Sequence, residues 1–132
     1  VLQQLLKAKA NLNEASRNGA TPTFVASREN NVAAIQVLAM AKADINLTNK
    51  NGSSPMFIAA EANAARAIQE LIASRGNINQ ANHMGSAPLH IAAQNDHVDA
   101  LQQLIRANAT VNQAAKNGAT PLHEAAQHNN VS

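Results

Sequence analysis

The chain has 132 residues and a formal net charge of +2, from ten Lys and Arg against eight Asp and Glu, a field too weak to indicate nucleic acid or an anionic membrane as partner. It has no cysteine, which excludes a disulfide framework and any thiolate metal site. Apolar residues make up 45% of the chain but include two Phe and no Tyr or Trp, so thin, closely packed elements are expected rather than a bulky centre.

A glycine recurs every 33 residues along the chain, and a proline follows each glycine three positions later. A constant period of this size predicts one supersecondary unit copied end to end, each copy too small to bury its own apolar face and therefore stacked on its neighbours. We expect a single domain over 1–132, with complete units at 18–50, 51–83 and 84–116 and half units at 1–17 and 117–132. The recurring residues are Gly19, Gly52, Gly85 and Gly118, and Pro22, Pro55, Pro88 and Pro121.

Each unit is predicted to begin with a tight turn at its glycine, because Gly adopts a positive φ without steric cost. A short first helix should begin at each proline, since Pro tolerates the first helical turn and a preceding Ser or Thr can accept an orphan amide hydrogen bond. This helix is expected to end at a residue type that enters the left-handed region readily. The residues at that position are Asn30, Asn63, Asp96 and Asn129.

A second helix is predicted in each unit from apolar residues at helical spacing, and this stripe should face the neighbouring units. Each unit then closes with an extended segment that ends in Asn13, Asn46, Asn79 or Asn112, which we expect to be a buried amide bonded to loop backbone. The apolar stripe comprises Leu2, Leu5 and Leu6, then Ile35 and Leu38, then Ile68, Leu71 and Ile72, then Leu101, Leu104 and Ile105.

Residues 118–126 carry the motif Gly-x-Thr-Pro-Leu-His-x-Ala-Ala, and residues 42–46 read Lys-Ala-Asp-Ile-Asn. Both motifs resemble the ankyrin repeat, and the resemblance covers the whole chain in one register. It implies an all-α solenoid of stacked helix-turn-helix units with projecting hairpin loops. It also implies a concave face that binds other proteins, with no catalysis and no cofactor. In that family the closing Asn can be a substrate of an asparaginyl hydroxylase.

Departures from the family pattern bear on stability. The Leu-His pair is replaced at Phe24 and Phe57, which removes the hydrogen bonds of that His, and the two rings are expected to fill space between units. The Gly between the helices is replaced by Asn or Asp throughout, and we expect these substitutions to cost some stability. The same expectation applies to the Gly after the second helix, which is replaced by Lys9, Lys42, Arg75 and Asn108.

A basic or potentially basic residue lies two positions before each turn glycine, at Arg17, Lys50, His83 and Lys116. A constant period should stack these residues into a line along the hairpin tips, where they could meet an acidic stretch of a partner protein. The alternative is that they are ordinary solvent-exposed tip residues. The resemblance implies that the contact surface also includes tip and first-helix neighbours. Those neighbours are Asn18, Arg28, Asn51, Glu61, Met84, Gln94 and Asn117.

The five histidines raise the question of a metal or catalytic site. His90 and His123 occupy the structural His position of the resembled repeat, and His97 occupies its interhelix position. His123 and His128 are five residues apart, which departs from the four-residue spacing that sets two ligands on one helical face. The sequence also lacks a nucleophile elbow and a phosphate-cradling Gly loop. We therefore expect no metal site and no catalytic residue.

Three functions are compatible with these observations. The first is a protein-interaction module for an unidentified partner, and the second is a structural spacer or scaffold segment of a larger ankyrin-repeat protein. The third is nucleic-acid binding by the basic tips, against which the lack of aromatic stacking residues counts.

The absence of a long apolar stretch and the two ends of the chain give two further expectations. No apolar stretch approaches the roughly 20 residues that span a bilayer, and the first residues lack the features of a secretion signal, so we expect a soluble, intracellular protein with no membrane partner. The chain begins with Val1 and ends within a unit, as a fragment would. Uncapped ends should expose apolar side chains such as Leu2, Leu6 and Leu122, and could associate end to end.

Overall fold

The computed structural model describes Gln4, residues 11–109 and residues 113–127, which form helical pairs and contain no strand. The predicted first helices do begin at the prolines. The predictions for Leu2, Leu5, Leu6, Lys9, Asn112, His128 and Asn129 lie outside the described residues. The helices are α1 (Pro22–Arg28), α2 (Val32–Met40), α3 (Pro55–Glu61), α4 (Ala65–Ala73), α5 (Pro88–Gln94), α6 (Val98–Arg106) and α7 (Pro121–Gln127).

The helices stack in two layers. First helices pack on first helices, in the order α1, α3, α5 and α7, and second helices pack on second helices, in the order α2, α4 and α6. Small residues such as Ala59 and Ala92 are fully buried in the first layer and permit close approach. Each buried Leu or Ile of the second layer contributes roughly 1.5–3 kcal/mol. The fully buried aliphatic residues of that layer are Ile35, Leu38, Ile68, Leu71 and Leu104.

The predicted apolar stripe is less buried at the last second helix. Ile105 is 49% exposed and Leu101 is half-buried, whereas Leu104 of the same helix is fully buried. The reason is that α6 is the last second helix in the described part of the chain, so no further helix packs against its outer side there. Leu122 of α7 is likewise 78% exposed, as we expected from its position.

Hydroxyl groups cap the first two proline-initiated helices. The Thr21 Oγ1 accepts from the Phe24 amide at 3.2 Å, and the Ser54 Oγ accepts from the Phe57 amide at 3.1 Å. Both Phe rings are buried, with exposed fractions of 4% and 5%. The prediction that they fill space is confirmed, and in these two repeats a hydroxyl group caps the amide of the Phe itself.

Non-glycine residues adopt the left-handed conformation after both helices of the three repeats whose two helices the structure describes. The left-handed conformation predicted at the end of the first helix is confirmed at Asn30, Asn63 and Asp96, each two residues after the last helical residue, where φ is 54°, 54° and 56°. This conformation is unfavourable for L-residues by roughly 1–2 kcal/mol, and Asn and Asp tolerate it better than most. Lys and Arg have no such advantage. The residues after the second helix are Lys42, Arg75 and Asn108, with φ of 66°, 66° and 65°.

The Asn side chains between the two helices cap the second helix of the following repeat. Asn30 Oδ1 accepts from the Ala67 amide at 2.9 Å, and Asn63 Oδ1 accepts from the Ala100 amide at 3.1 Å. The residues that precede α4 and α6 make no side-chain cap of their own, whereas α2 is capped by its own Asn31. The expected loss of stability from replacing Gly at this position is therefore offset at Asn30 and Asn63, because each amide satisfies an orphan helix N–H.

The closing Asn residues also bridge adjacent repeats. Asn13 Oδ1 accepts from the Asp44 amide at 2.9 Å, and Asn46 Oδ1 accepts from the Asn77 amide at 2.8 Å. The prediction of a bond to loop backbone is confirmed, but the prediction of burial is wrong, since Asn13 is exposed and Asn46 is half-buried. The partner amide belongs to the next repeat, so these side chains join loops at the edge of the stack.

Backbone hydrogen bonds join each hairpin tip to the next. These bonds require close approach, and a Cβ added to Gly52 would lie 2.5 Å from the His83 ring and 2.9 Å from the His83 nitrogen. Gly52 and Gly118 both have a positive φ, of 77° and 83°, but a Cβ on Gly118 would meet nothing within 4 Å. The amides of Lys50, His83 and Lys116 donate to the carbonyls of Asn18, Asn51 and Met84 at 3.1, 3.0 and 3.0 Å.

We expect Gly52→Ala to lower the free energy of unfolding by about 1–3 kcal/mol more than Gly118→Ala. Both substitutions place Ala at a positive φ, but only the first forces the next hairpin tip to move. Urea denaturation followed by circular dichroism measures the difference. Equal losses of unfolding free energy in the two variants would show that the close contact with His83 does not restrict which residue position 52 tolerates.

The bridging role of Asn63 predicts a second difference in stability. Asn63→Gly keeps the left-handed conformation accessible but removes the cap of α6, whereas Asp96→Gly changes a residue that caps no described helix. We expect the first variant to be less stable than the second by about 1 kcal/mol in urea denaturation. A more stable Asn63→Gly variant would contradict the capping role.

Candidate functional site

The exposed faces of the first helices and the hairpin tips form one continuous surface. In each first helix, the fourth and seventh residues and the residue after the helix lie on the side opposite the buried alanines, because three- and four-residue steps return to one helical face. These positions are half-buried or exposed throughout. They are occupied by Val25, Arg28 and Glu29, then Ile58, Glu61 and Ala62, then Ile91, Gln94 and Asn95, then Glu124 and Gln127.

The basic tip line consists of Arg17, Lys50, His83 and Lys116, and all four residues are exposed. The backbone hydrogen bonds between tips hold the last three next to the preceding tip. Within residues 11–109 and 113–127, the one ion pair joins Arg28 to Glu29 at 3.5 Å. No carboxylate of the described chain therefore neutralises the tip line.

An aliphatic stripe of Val25, Ile58 and Ile91 runs beside the basic tip line. Val25 is 38% exposed, and the two Ile residues are half-buried. Reasoning from the sequence missed this stripe, although the three residues recur at the same interval as the prolines. The signal was present as a constant offset of three residues after each proline, which places an aliphatic group on the outward face of the helix.

Acidic residues occupy the same helix faces. Glu61 is exposed near the end of α3, and Glu124 is half-buried at the stripe position of α7. Because each first helix begins at the hairpin and rises about 1.5 Å per residue, Glu61 lies about 4–5 Å farther from the tips than Ile58. The surface is thus basic along the tips and acidic on part of the helix face.

A depression of about 370 Å³ lies between the third and fourth tips and helices α5 and α7. Met84, which is 69% exposed, forms one side, and Phe57 and Ile91 provide further apolar surface. Among the residues predicted for the contact surface, the depression brings together Met84, Gln94 and Asn117. Its remaining walls are Asn82, Ser86, Ala115 and Glu124.

The other predicted contact residues lie elsewhere on the same surface. Arg17, Asn18 and Arg28 belong to the first tip and α1, far along the stack from the depression. Lys50, Asn51 and Glu61 belong to the second tip and α3, between these two groups, while Lys116 and His83 flank the depression at the tips. The predicted set is therefore distributed along the whole face.

Two histidines hold adjacent repeats together through backbone hydrogen bonds. His90, 1% exposed, accepts from the Ala87 amide through Nδ1 at 3.0 Å, so its Nε2 carries the proton and donates to the Ala119 carbonyl at 3.0 Å. His97 Nδ1 lies 3.0 Å from the Ala60 carbonyl of the preceding repeat. Both ring nitrogens of His90 are occupied, so it cannot ligate a metal without breaking one of these two hydrogen bonds.

His123 is exposed and contacts Thr120 through Nδ1, with a distance of 2.7 Å to the hydroxyl. In the described residues, no group of three or more His, Asp or Glu side chains is arranged to hold a metal ion. No helix among these residues has the length and apolar character that crossing a membrane requires.

The repeat with His90 and the repeat with Phe57 cap different amides at the start of the first helix, since His90 accepts from the Ala87 amide and Ser54 accepts from the Phe57 amide. His90→Phe removes the acceptor of the buried Ala87 amide and should cost about 1–3 kcal/mol of unfolding free energy. Adding Ala87→Ser supplies a hydroxyl for the amide of residue 90, as Ser54 does for Phe57, and should recover about 1 kcal/mol although the amide of residue 87 stays without its acceptor.

Urea denaturation of the single and the double variant tests this substitution pair. A single variant as stable as the original chain would contradict the assigned role of His90, and a double variant no better than the single would contradict capping of this helix by a hydroxyl at position 87.

Comparison with family models agrees with the geometry of the stack. A model of three consecutive ankyrin repeats matches residues 1–82 and again residues 56–132, so the matched residues extend over the entire chain. A search among curated proteins gave no significant match. The helices are paired and stacked at a constant period, backbone hydrogen bonds join the tips, and the family match covers the full length. The chain therefore belongs to the ankyrin repeat family.

Proposed function

We propose that this chain is a protein-interaction module that binds an extended, acidic segment of a partner protein along its tips and first helices. Ankyrin repeats generally mediate contacts between proteins. The observation that carries the proposal is the basic tip line, which is exposed, has no carboxylate partner among the described residues and runs beside an aliphatic stripe. We propose no catalysis by the chain itself.

The charge distribution supports one orientation of the bound segment. Carboxylates of the partner are attracted by Lys50 and Lys116 at the tips and repelled by Glu61 and Glu124 on the helix face. Apolar side chains of the segment would lie against Ile58 and Ile91, where they lose contact with water. The acidic edge of the segment therefore faces the tips.

The affinity of one such chain is expected to be modest. The surface contains no Trp or Tyr, and these residues with Arg supply most binding hot spots in protein interfaces. Met84 is the large apolar side chain most exposed on this surface, and it lies beside the depression. Repetition of weak contacts along the stack, rather than one deep anchor, is the source of binding energy that this surface offers.

The acidic side chains also argue against nucleic acid as the partner. A phosphate backbone laid along the tips would meet Glu61 and Glu124 on the adjoining helix face, and phosphate contacts dominate such complexes. A structural spacer, the remaining alternative, needs no charge pattern on this face at all.

The test reverses charge at the tips and, in a matched control, elsewhere. Arg17→Glu, Lys50→Glu and Lys116→Glu together should reduce capture of the partner from extracts of the source cells by more than about tenfold. Lys42→Glu, Arg66→Glu and Arg106→Glu change the net charge equally but lie in or after second helices, and should leave capture unchanged. Quantitative mass spectrometry compares the captured proteins, and circular dichroism checks both folds.

The alternatives give different results in the same experiment. Undiminished capture by the tip variant would contradict binding through the tips, and the absence of any captured partner with the original chain would favour a spacer. An equal loss in both variants would show a general charge effect, and a partner that disappears after nuclease treatment would indicate nucleic acid.

A further inference from the structure

Three of the four hairpin tips place Asn directly before the turn glycine. Such pairs undergo deamidation, because a glycine has no Cβ to shield its backbone nitrogen from the neighbouring side-chain amide. Asn is among the thermolabile residues for this reason. The pairs are Asn18 with Gly19, Asn51 with Gly52, and Asn117 with Gly118, while the third tip has Met84 instead.

Hydrogen bonds hold two of these three side chains in place. Asn18 Oδ1 accepts from the Ala20 amide at 3.1 Å and also from the Ser16 hydroxyl. Asn117 Oδ1 accepts from the Ala119 amide at 2.9 Å. In both loops the amide group is fixed toward the nitrogen two residues ahead.

Asn51 is different because the side chain of Asn49, and not its own, accepts the amide hydrogen bonds within its loop. Asn49 Oδ1 accepts from both the Asn51 and the Ser53 amides, each at 3.0 Å. The Asn51 side chain is exposed and makes no hydrogen bond to any described residue. It is therefore free to rotate toward the nitrogen of Gly52.

Backbone hydrogen bonding does not distinguish the three sites from one another. The amides of Gly19, Gly52 and Gly118 each donate to a carbonyl across the turn, at 2.9, 3.0 and 2.8 Å. Attack at any of them requires the same turn bond to open. The freedom of the Asn side chain is what distinguishes residue 51.

We propose that Asn51 is a site of spontaneous deamidation and that it converts faster than Asn18 and Asn117 in the folded protein. The Gly52 nitrogen loses its proton to solvent base and attacks Asn51 Cγ, which closes a succinimide ring and releases the side-chain amide as ammonia. Water then opens the ring at either carbonyl and leaves an aspartate or an isoaspartate. Water is consumed, ammonia is released, and no atom changes oxidation state.

Conversion at this position alters both the stack and its charge. The Asn51 carbonyl accepts from the His83 amide, and an isoaspartate inserts an extra backbone methylene where a Cβ on Gly52 would already lie 2.5 Å from His83. The new carboxylate lies between Lys50 and His83 in the basic tip line. A weaker attraction for an acidic segment follows only if the proposed function holds, whereas the modification itself does not depend on it.

The experiment follows the three sites within one molecule and needs no partner. The full chain is incubated at mildly alkaline pH and physiological temperature, and peptide mapping by mass spectrometry measures the conversion of each Asn over time. Loss of one restraining hydrogen bond corresponds to about a fivefold faster conversion of Asn51 than of either other site. In urea-unfolded chain the three rates should converge.

Two exchanges between the loops test the cause. Asn49→Ser gives the second tip the Ser of the first tip, so that Asn51 must accept the Ser53 amide itself, and its conversion should slow toward that of Asn18. Ser16→Asn gives the first tip the Asn of the second and should accelerate Asn18 about fivefold.

The proposal is overturned if Asn18 or Asn117 converts as fast as Asn51 in the folded chain, or if neither exchange changes the rates. Either result would leave partner binding through the tips untouched, because binding is measured separately by charge reversal.

Discussion

Side-chain amides that reach from one repeat to the next set the register of this stack. Asn30 and Asn63 cap helices of the following repeat, and Asn13 and Asn46 accept from loop amides of the following repeat. Buried alanines and leucines supply most of the stabilising energy, but an alanine-rich interface is smooth and could slide. A hydrogen bond tolerates only a few tenths of an ångström, so the amides determine which neighbour each residue faces.

The same register creates the candidate binding surface. A residue type repeated at one position becomes a line, as with the basic tips and the stripe of Val25, Ile58 and Ile91. A residue that departs from the repeated type creates a local feature, as with Met84 and Glu124, which both line the depression. Repetition thus gives the surface its length and its charge pattern, and the exceptions give one part of it a distinct shape.

Sequence patterns predicted the helix starts and the left-handed residues because both depend on local backbone chemistry. They also predicted the roles of His90 and Phe57, which follow from the family register. They were wrong about the burial of Asn13 and Asn46, since the edge of a stack is decided by how neighbouring loops pack. They overstated the loss of stability that results from Asn30 and Asn63 in place of Gly. Each of these side chains caps a helix by accepting from an amide 37 residues ahead.

By itself, the sequence determined a repeat of 33 residues, a pair of helices in each unit and membership in one family, because the recurrence is visible along the chain and because Pro and Gly act on the backbone within a few residues of their own positions. Only the tertiary structure decided which polar atoms meet across repeats, that the tips share a backbone ladder, and that Asn51 alone among the Asn-Gly pairs is unrestrained within the described residues. Those outcomes depend on contacts between residues about 30 or more positions apart, or on which of two acceptors closes a loop.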